Sequence, residues 1–402
     1  MSVTLEEIEA CRELVNEVAL TTPVEESRWL QALVGGQVML KCENLQRTGS
    51  FKIRGAYLRL SRLTTEERAR GVVAASAGNH AQGVALAAQL LGIKATVFMP
   101  DGAPIPKANA TRGYGAEVLF HGLSLTEALV RAQQFSDDTG AVFIHPFDHP
   151  DILTGQGTCG LEVLEQAPDV RTVLVPTGGG GLLAGMALAI KAKRPDVRVV
   201  GVQAAEAAAY PESLRTGAPV QLERMSTMAD GIAVARPGDL PFEAIQRCVD
   251  DIVTVSEDSL SRALVLLLER AKMVVEPSGA AAVAAVLDSP HAFATPMVAV
   301  LSGGNVDPLL LGNLIRHGMA AGGRYLNLHC VISDRPGGLA RLLADLADSG
   351  ANVLEVAHER TSTSLHIGEV EVRLQLETRG APHAEAVMAR LRDHGYEVRD
   401  QN

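Results

Sequence analysis

The chain has 402 residues, of which 47% are hydrophobic and 21% are charged, and its formal net charge at pH 7 is -11. This length suffices for two or three domains with large cores, and the composition is typical of a soluble globular protein. The acidic balance argues against a nucleic-acid backbone as a partner, and the five widely spaced cysteines argue against a disulfide framework or a zinc site. We therefore expect a reduced intracellular protein, located in the cytoplasm.

The N-terminus, MSVTLEEIEACRELV, shows acidic helical periodicity instead of a basic start followed by an apolar segment, so it predicts no secretory signal. The longest uncharged segment, residues 172–190, contains Pro176 and four consecutive glycines. Because these residues would break a helix in its middle, the segment predicts a strand, a loop and a helix, and no membrane span.

The stretch GSFKIRGA places Lys52 between Phe51 and Ile53. An amine buried among apolar groups tends to lose its proton or to find a partner, and a neutral lysine can form a Schiff base with an aldehyde. The alternative is a surface lysine whose stem covers apolar atoms. These eight residues alone leave both interpretations open.

From about residue 70, short apolar runs alternate with helical patterns, which predicts parallel sheets covered by helices on both faces. The predicted strands are residues 71–76, 94–100, 116–120, 141–146, 171–176, 197–203, 251–256 and 297–305. The predicted helices are residues 78–92, 106–115, 126–140, 157–167, 181–193, 257–275 and 277–287.

Three strand ends carry residues suited to binding. In SAGNHAQG, small Ser76, Ala77 and Gly78 expose backbone N–H groups that could hold a carboxylate, and Asn79 can donate a hydrogen bond, although such a stretch can also be a well-capped helix start. In LSGGNVD, the Ser302 hydroxyl would emerge at the carboxyl end of a sheet, where open α/β sheets bind ligands.

The third stretch, VPTGGGGLLAG, ends a strand with four glycines and then opens a helix. Converging N–H groups and the positive end of the helix dipole suit a phosphate. The loop lacks the lysine and Ser/Thr of a Walker sequence, so it does not specify a nucleotide. A plain tight turn is the alternative.

Near residues 317–325, two glycines and small residues predict a linker, and a βαββαβ pattern follows. Its first helix is predicted to begin at Pro336 and to end at Gly350, with leucines on one face. One later strand alternates apolar and polar residues from Val370 to Glu377, so it covers a core on one face only. The leucines are Leu339, Leu342, Leu343 and Leu346.

An amine able to form an imine, a phosphate loop, a carboxylate loop and a hydroxyl at a sheet edge together suit pyridoxal phosphate. The segments ENLQRTGSFKIRGA, SAGNHAQG, PTGGGGL, ADGIAV, EPSGA and LSGGNV resemble the threonine dehydratase (threonine ammonia-lyase) family, of the tryptophan-synthase-β-like class, over about residues 5–320. The C-terminal residues resemble an ACT regulatory domain, on the basis of DRPGGLA and the βαββαβ order.

The resemblance implies an α/β fold with a two-lobed pyridoxal-phosphate domain at residues 1–320, whose smaller lobe covers about 53–148. An ACT-like, ferredoxin-like domain is expected at residues 325–402. The implied cofactor-binding residues are Phe51 against the pyridine ring, Lys52 as the Schiff-base amine, Asn79 at the phenolic oxygen, Gly178, Gly179, Gly180, Gly181 and Leu182 at the phosphate, and Ser302 at the pyridine nitrogen. The implied substrate-binding residues are Ser76, Ala77, Gly78, Asn79 and His80.

The resemblance further implies that Lys52 removes the Cα proton as general base and that the β-hydroxyl then leaves. We interpret Arg54 as a structural charge and His80 as scaffolding at a helix start. Related serine racemases bind a divalent cation after the strand that ends in GV, but Gln203 and Ala209 stand where carboxylates are expected, with only Glu206 nearby. No metal site is predicted.

The leading hypothesis is an L-threonine/L-serine dehydratase that forms homo-oligomers and binds an amino-acid effector, such as isoleucine or valine, around residues 334–338. One alternative is a racemase, which needs a second proton donor; related racemases have a serine at the position of Ala77, whose methyl group cannot donate. The other alternative is a non-catalytic amino-acid sensor, against which intact Lys52 and the intact glycine loop argue.

Overall fold

The structure is a computed structural model that describes residues 3–360 and 365–400. The chain forms two compact units that divide between Leu310 and Leu311. None of the described helices is both long and apolar enough to cross a membrane.

In chain order the strands are β1 (Val24–Glu26), β2 (Val38–Lys41), β3 (Val72–Ala75), β4 (Ala95–Met99), β5 (Glu117–Phe120), β6 (Val142–Phe143), β7 (Thr172–Pro176), β8 (Arg198–Ala204), β9 (Asp251–Val255), β10 (Met297–Val300), β11 (Tyr325–Ser333), β12 (Asn352–Glu359), β13 (Glu369–Glu377) and β14 (Glu397–Asp400).

The helices are α1 (Leu5–Ala10), α2 (Arg12–Asn16), α3 (Arg28–Val34), α4 (Lys52–Ser61), α5 (Thr65–Arg70), α6 (Asn79–Leu91), α7 (Ile105–Gly113), α8 (Leu125–Thr139), α9 (Pro150–Gln166), α10 (Gly181–Lys193), α11 (Tyr210–Thr216), α12 (Asp239–Cys248), α13 (Glu257–Leu266), α14 (Pro277–Asp288), α15 (Pro308–Ala321), α16 (Gly338–Asp348) and α17 (Ala381–Asp393).

The larger sheet of the first unit has six strands in the order β1-β2-β10-β7-β8-β9. Every pairing is parallel except that of β1 with β2. Strands β2, β7 and β10 are buried along their whole length. Their apolar runs suit strands covered on both faces, so the predicted parallel sheet is confirmed.

A second parallel sheet has four strands in the order β5-β4-β3-β6, all of them between residues 72 and 143. Helix α4 packs against α9 by close backbone approach, because a Cβ at Gly155 would lie 2.6 Å from the Cα of Gly55. A Cβ at Gly83 of α6 would lie 3.2 Å from the backbone of Lys52. These glycines set the position of the first residue of α4, which is Lys52.

The second unit has an antiparallel sheet in the order β12-β13-β11-β14, with α16 and α17 in the chain order βαββαβ, as predicted. Side chains from one face of β11 and β13 pack with those of α16 into a separate core. Leu342 and Leu346 are buried in it, and Leu339 and Leu343 pack against it, so the predicted apolar face of the helix is confirmed.

Four predicted boundaries were wrong. The helix expected from Pro336 begins at Gly338, because Gly337 has a left-handed φ of 90° that is incompatible with the helix. The expected linker at residues 317–325 is helical as far as Ala321. The helix expected over 257–275 gives way at Leu267–Ala271 to a π-helical turn, which ends where Lys272 has a φ of 59°. Helix α9 starts well before the predicted residue 157.

Candidate active site

A cavity of about 300 Å³ lies at the carboxyl ends of β3, β7 and β10, the edge at which open α/β sheets bind ligands. The structure brings every sequence-predicted site residue to this cavity. Those lining residues are Phe51, Lys52, Ser76, Ala77, Gly78, Asn79, His80, Gly178, Gly179, Gly180, Gly181, Leu182 and Ser302.

Lys52 borders the cavity and is not a surface lysine. Its Nζ donates a hydrogen bond to the Pro146 carbonyl oxygen at 2.9 Å and lies 5.1 Å from the centroid of the Phe51 ring. Loss of hydration lowers the pKa of Lys52 to about 8, while the negative charge of Glu276 acts in the opposite direction. The amine is therefore much easier to deprotonate than an exposed lysine, as a nucleophile or base requires.

The glycine loop joins β7 to α10, and Gly180 adopts a left-handed φ of 97° as the N-cap of that helix. A Cβ at Gly179 would lie 2.5 Å from the Phe147 ring, and one at Gly180 would lie 1.9 Å from the Tyr210 hydroxyl. That hydroxyl donates a hydrogen bond to the Gly179 carbonyl oxygen at 3.2 Å. Packing thus requires glycine at both positions, and the first N–H groups of α10 remain available for an anion.

The loop after β3 places Asn79 as the first residue of α6. The Asn79 side-chain amide donates a hydrogen bond to Glu276 Oε1 at 2.5 Å. Its Oδ1 accepts a hydrogen bond from Asn305 Nδ2 at 2.7 Å. Asn79 is therefore held from two sides, with one amide hydrogen left for a ligand.

His80 and Arg54, the other two residues that catalysis could use, are both held by buried hydrogen bonds to the protein. His80 Nε2 lies 2.8 Å from the Ile144 carbonyl oxygen, and burial lowers its pKa to about 3, so the ring is neutral and donates to that carbonyl. Arg54 is completely buried and donates hydrogen bonds to Glu43 and Glu162 at 2.6–2.9 Å. Arg54 does not line the cavity.

Several cavity residues were missed by the sequence analysis. Glu276 is 3% exposed, and burial, followed by the negative charge of Asp230, raises its pKa to about 7. Lys107 forms an ion pair with Asp230 at 2.6 Å, and the buried Ser278 hydroxyl has no partner among the described residues. Glu276 lies in the segment EPSGA, and Asp230 lies in ADGIAV. An acidic residue among small apolar residues at a helix start is unusual, and this pattern could have marked both as candidate site residues.

Neither Gln203 nor Glu206 has surroundings typical of a cation site. Gln203 is buried, and its Oε1 accepts a hydrogen bond from the backbone N–H of Tyr210 at 2.9 Å, while Glu206 is exposed. Within residues 3–360 and 365–400, there is no group of three or more His, Cys, Asp or Glu side chains able to hold a metal ion.

The cavity fits pyridoxal phosphate. It offers an amine of lowered proton affinity at Lys52, a glycine loop at the positive end of a helix, and the hydroxyls of Ser278 and Ser302. A site of this kind between strand ends of parallel sheets defines an enzyme that uses pyridoxal phosphate.

Comparison with known proteins supports the assignment to enzymes that use pyridoxal phosphate. The profile of a family described as pyridoxal-phosphate dependent enzyme matches residues 15–303, and the chain belongs to this family. The chain is 46% identical to an L-threonine ammonia-lyase of Thermotoga maritima, over 99% of each chain. Among solved structures, it is similar to a threonine deaminase of Solanum lycopersicum, with 36% identity and a TM-score of 0.74 over 79% of this chain and 88% of that one. It is also similar to maize serine racemase, with 34% identity and a TM-score of 0.74 over 80% of this chain and 99% of that one.

Proposed function

We propose that this protein is an L-threonine ammonia-lyase that also accepts L-serine. It eliminates water from the amino acid to give an enamine, and hydrolysis of the corresponding imine then takes up one water and releases ammonia, giving 2-oxobutanoate from threonine or pyruvate from serine. The observation that carries this proposal is that Lys52, the carboxylate loop after β3 and the glycine loop before α10 line the same cavity. The relatives that bear the name threonine ammonia-lyase support the choice of substrate.

In this proposal Lys52 would hold pyridoxal phosphate covalently, residues 178–182 would bind its phosphate, and Ser302 would bind its ring nitrogen. Phe51 would pack against the ring, and the free amide hydrogen of Asn79 would bind the phenolic oxygen. When bound, the cofactor supplies an electron sink for the bond broken at Cα. A neutral hydroxyl at the ring nitrogen makes that sink weaker than a carboxylate would, which favours prompt elimination.

Residues of the chain itself bind the substrate and move its proton. N–H groups at the start of α6, in residues 76–80, bind the substrate carboxylate and orient the amino acid. Lys52, as a free amine, takes the Cα proton. The methyl group of Ala77 cannot return a proton, so the substrate loses its β-hydroxyl and is not released as the opposite isomer.

The direct test is a 2-oxo acid assay of the purified protein with L- and D-threonine and L- and D-serine. We expect 2-oxobutanoate from L-threonine and pyruvate from L-serine, in amounts equal to the ammonia released. Absence of 2-oxo acid from both L-isomers, in protein that carries pyridoxal phosphate, would refute the proposal and leave the racemase and sensor hypotheses.

We infer further that the second unit regulates the first as an ACT-like domain. Its separate core and its βαββαβ order support this role, as does the turn before α16, where Gly337 is left-handed and Asp334 pairs with Arg360 at 3.0 Å. We expect an amino-acid effector, such as isoleucine or valine, to bind at residues 334–338 in a homo-oligomer.

We further propose that the protein is located in the cytoplasm. All five cysteines are free, which is typical of a reducing compartment.

A chain that ends at Arg324 tests the regulatory role of the second unit. It should keep its activity on L-threonine but lose the response to isoleucine and valine, because coupling requires the second site. Size-exclusion chromatography of both forms will report the oligomeric state. An unchanged effector response in the shortened chain would show that the effector binds elsewhere.

A further inference from the structure

One segment of the chain contacts both the Lys52 amine and the glycine loop. This segment, residues 145–148 with the sequence HPFD, follows β6, and we call it the strap. Just before the strap, the Ile144 N–H donates a hydrogen bond to a carbonyl oxygen of β3 at 2.9 Å. At its end, the Asp148 carboxylate accepts hydrogen bonds from the first two N–H groups of α12, both at 3.0 Å. The strap is therefore fixed to the smaller sheet on one side and, through α12, to the core of the larger sheet on the other.

The strap contacts the amine and the glycine loop through two neighbouring residues, both of which line the cavity. Lys52 Nζ donates to the Pro146 carbonyl oxygen at 2.9 Å. Phe147 packs against the glycine loop, because a Cβ at Gly179 would lie 2.5 Å from the Phe147 ring and one at Gly181 would lie 2.9 Å from the Phe147 Cβ. A shift of the strap would therefore disturb both contacts together.

The conformation of the strap depends on the His145 ring. Its Nδ1 accepts hydrogen bonds from the backbone N–H groups of Asp148, at 2.8 Å, and of Phe147, at 3.4 Å. The ring also packs edge to face on the Phe147 ring, with the centroids 4.7 Å apart. An imidazole nitrogen accepts only while it carries no proton, and burial lowers the pKa of His145 to about 4, so the ring is neutral at pH 7. The neutral side chain thus closes a turn around Pro146.

A single peptide unit connects His145 to Lys52. The Pro146 carbonyl and the Phe147 N–H belong to the same trans peptide bond, so they point in opposite directions. His145 Nδ1 holds the N–H on one side, and the carbonyl meets the Lys52 amine on the other. Because a carbonyl carries no charge, it orients the amine without stabilising the ammonium form as a carboxylate would. With one N–H directed at Pro146, fewer directions are open to the lone pair of the neutral amine.

We propose that His145 is a positioning residue for Lys52: its neutral ring holds the strap so that the Pro146 carbonyl directs the Lys52 amine, first toward the aldehyde of pyridoxal phosphate and later toward the Cα proton of the substrate. The inference rests on the proposed function in taking Lys52 as that amine and that base. His145 does not itself line the cavity, so it acts through the strap. Without its acceptor nitrogen the amine would rotate more freely, and reactive alignments would become rarer.

Three substitutions separate the hydrogen bonds of the ring from its presence. In His145→Asn the side-chain oxygen can replace Nδ1 as the acceptor. In His145→Gln the polar end reaches the position of Nε2 instead, and in His145→Ala no acceptor remains. Hydroxylamine removes the cofactor from each full-length protein, and circular dichroism verifies the fold.

The rate at which Lys52 binds added pyridoxal phosphate covalently is the main readout; the amine adds to the aldehyde and water is lost. Stopped-flow absorbance over a range of cofactor concentrations separates the limiting rate from the half-saturating concentration, and mass spectrometry after borohydride reduction verifies that Lys52 is modified. We expect the limiting rate to fall about tenfold in His145→Gln and His145→Ala, and to stay within about twofold of the parent in His145→Asn.

His149→Gln is the matched control. His149 Nδ1 accepts a hydrogen bond from the Asp151 N–H at 3.1 Å at the start of α9, and His149 does not line the cavity. This substitution should leave the limiting rate unchanged. A parent-like limiting rate in either folded His145 variant that lacks the acceptor would overturn the proposal, as would an equal loss in His145→Asn.

Turnover of L-threonine provides a second readout. In His145→Gln, kcat should fall with little change in KM, and the isotope effect with 2-deuterated L-threonine should rise, because removal of the Cα proton becomes more rate-limiting. Unchanged kcat and isotope effect would contradict the role of the strap in directing the base. If the parent does not turn over L-threonine, the proposed function fails, while the rate of covalent cofactor binding still decides the role of His145.

Discussion

Two groups of buried charged side chains in the first unit differ in the partners that they have. In the first, which we call the buried ion network, Lys41 pairs with Glu162 at 2.6 Å, and Arg54 pairs with Glu43 at 2.8 Å and with Glu162 at 2.6 Å. All four side chains are at most 1% exposed, and the two positive charges balance the two negative ones. Each charge in this network therefore has a hydrogen-bonded counter-charge that offsets its loss of hydration.

In the cavity, by contrast, the hydrogen-bond partners are neutral. Lys52 donates to the Pro146 carbonyl, and Glu276 accepts from the Asn79 amide. Loss of hydration is therefore not offset by an ion pair, so the pKa of the lysine falls to about 8 and that of the glutamate rises to about 7. The comparison indicates that loss of hydration lowers the pKa of a buried lysine where no hydrogen-bonded ion pair offsets it.

The largest expected effect distinguishes Lys52, which lines the cavity, from Lys41, which belongs to the buried ion network. In the proposed function Lys52 is both the amine that holds the cofactor and the base, so Lys52→Ala should lower turnover of L-threonine at least about a thousandfold. Circular dichroism and the unfolding midpoint should stay close to those of the parent, because no ion pair is broken. Lys41→Ala should show the reverse pattern, with lower stability, since Glu162 loses one of its two cations. Near-normal turnover in Lys52→Ala would contradict the assignment.

The next expected effect concerns the buried ion network. Arg54→Met leaves Glu43 without its main partner and should lower the free energy of unfolding by about 3–5 kcal/mol. Urea unfolding followed by circular dichroism measures the change. Arg215→Met, which breaks an exposed pair with Glu212, is the matched control and should change stability little. Equal stability of the two variants would show that burial adds nothing to the Arg54 pairs.

A smaller effect is expected from Glu276, the carboxyl group in the cavity whose hydrogen-bond partner is the neutral Asn79 amide. Because the pKa of Glu276 is raised from its ordinary value of 4.5 to about 7, the folded state binds the proton more tightly than the unfolded state. Its contribution to stability is present below about pH 4.5 and is lost as the pH rises to about 7. Relative to the parent, Glu276→Gln should therefore gain up to about 3 kcal/mol between about pH 5 and about pH 8.

Urea unfolding of both forms at these two pH values measures this gain. Parallel stability curves would mean that the carboxyl group of Glu276 titrates normally in the folded protein. Glu243→Gln, in which an exposed side chain is changed, is the control and should follow the parent at both values.

The smallest effect concerns a cavity position that carries no charge. Ala77→Ser introduces a hydroxyl that can donate a proton, so D-serine should increase from a trace to a measurable amount with L-serine as substrate. Chiral chromatography of spent reactions detects it, and Lys52→Ala combined with Ala77→Ser should abolish it. Abundant D-serine from the unmodified protein would instead favour a racemase.

Much of the fold could be predicted from local patterns. The apolar runs of β7 and β10 indicated buried parallel strands, and the alternation in β13 indicated a sheet with one covered face. Strand β1 was missed, because Val24–Glu26 has only three residues and two of them are exposed carboxylates. The early start of α9 was also missed, because Gly155 and Gly157 disfavour a helix by about 1 kcal/mol each. Close contact of α9 with Gly55 and Ile8 requires those glycines.

For the site, the sequence by itself determined which segments carry chemistry: an amine among apolar residues at Lys52, glycines between a strand and a helix, and small residues before Asn79. These signals are local, because turns, caps and strand ends depend on neighbouring residues. The tertiary structure alone decided which charges meet. Asn79 and Glu276 are 197 residues apart in the chain, and Arg54 and Glu162 are 108 apart. Whether a buried group titrates depends on such distant partners and on the water that packing removes, and no local pattern contains either quantity.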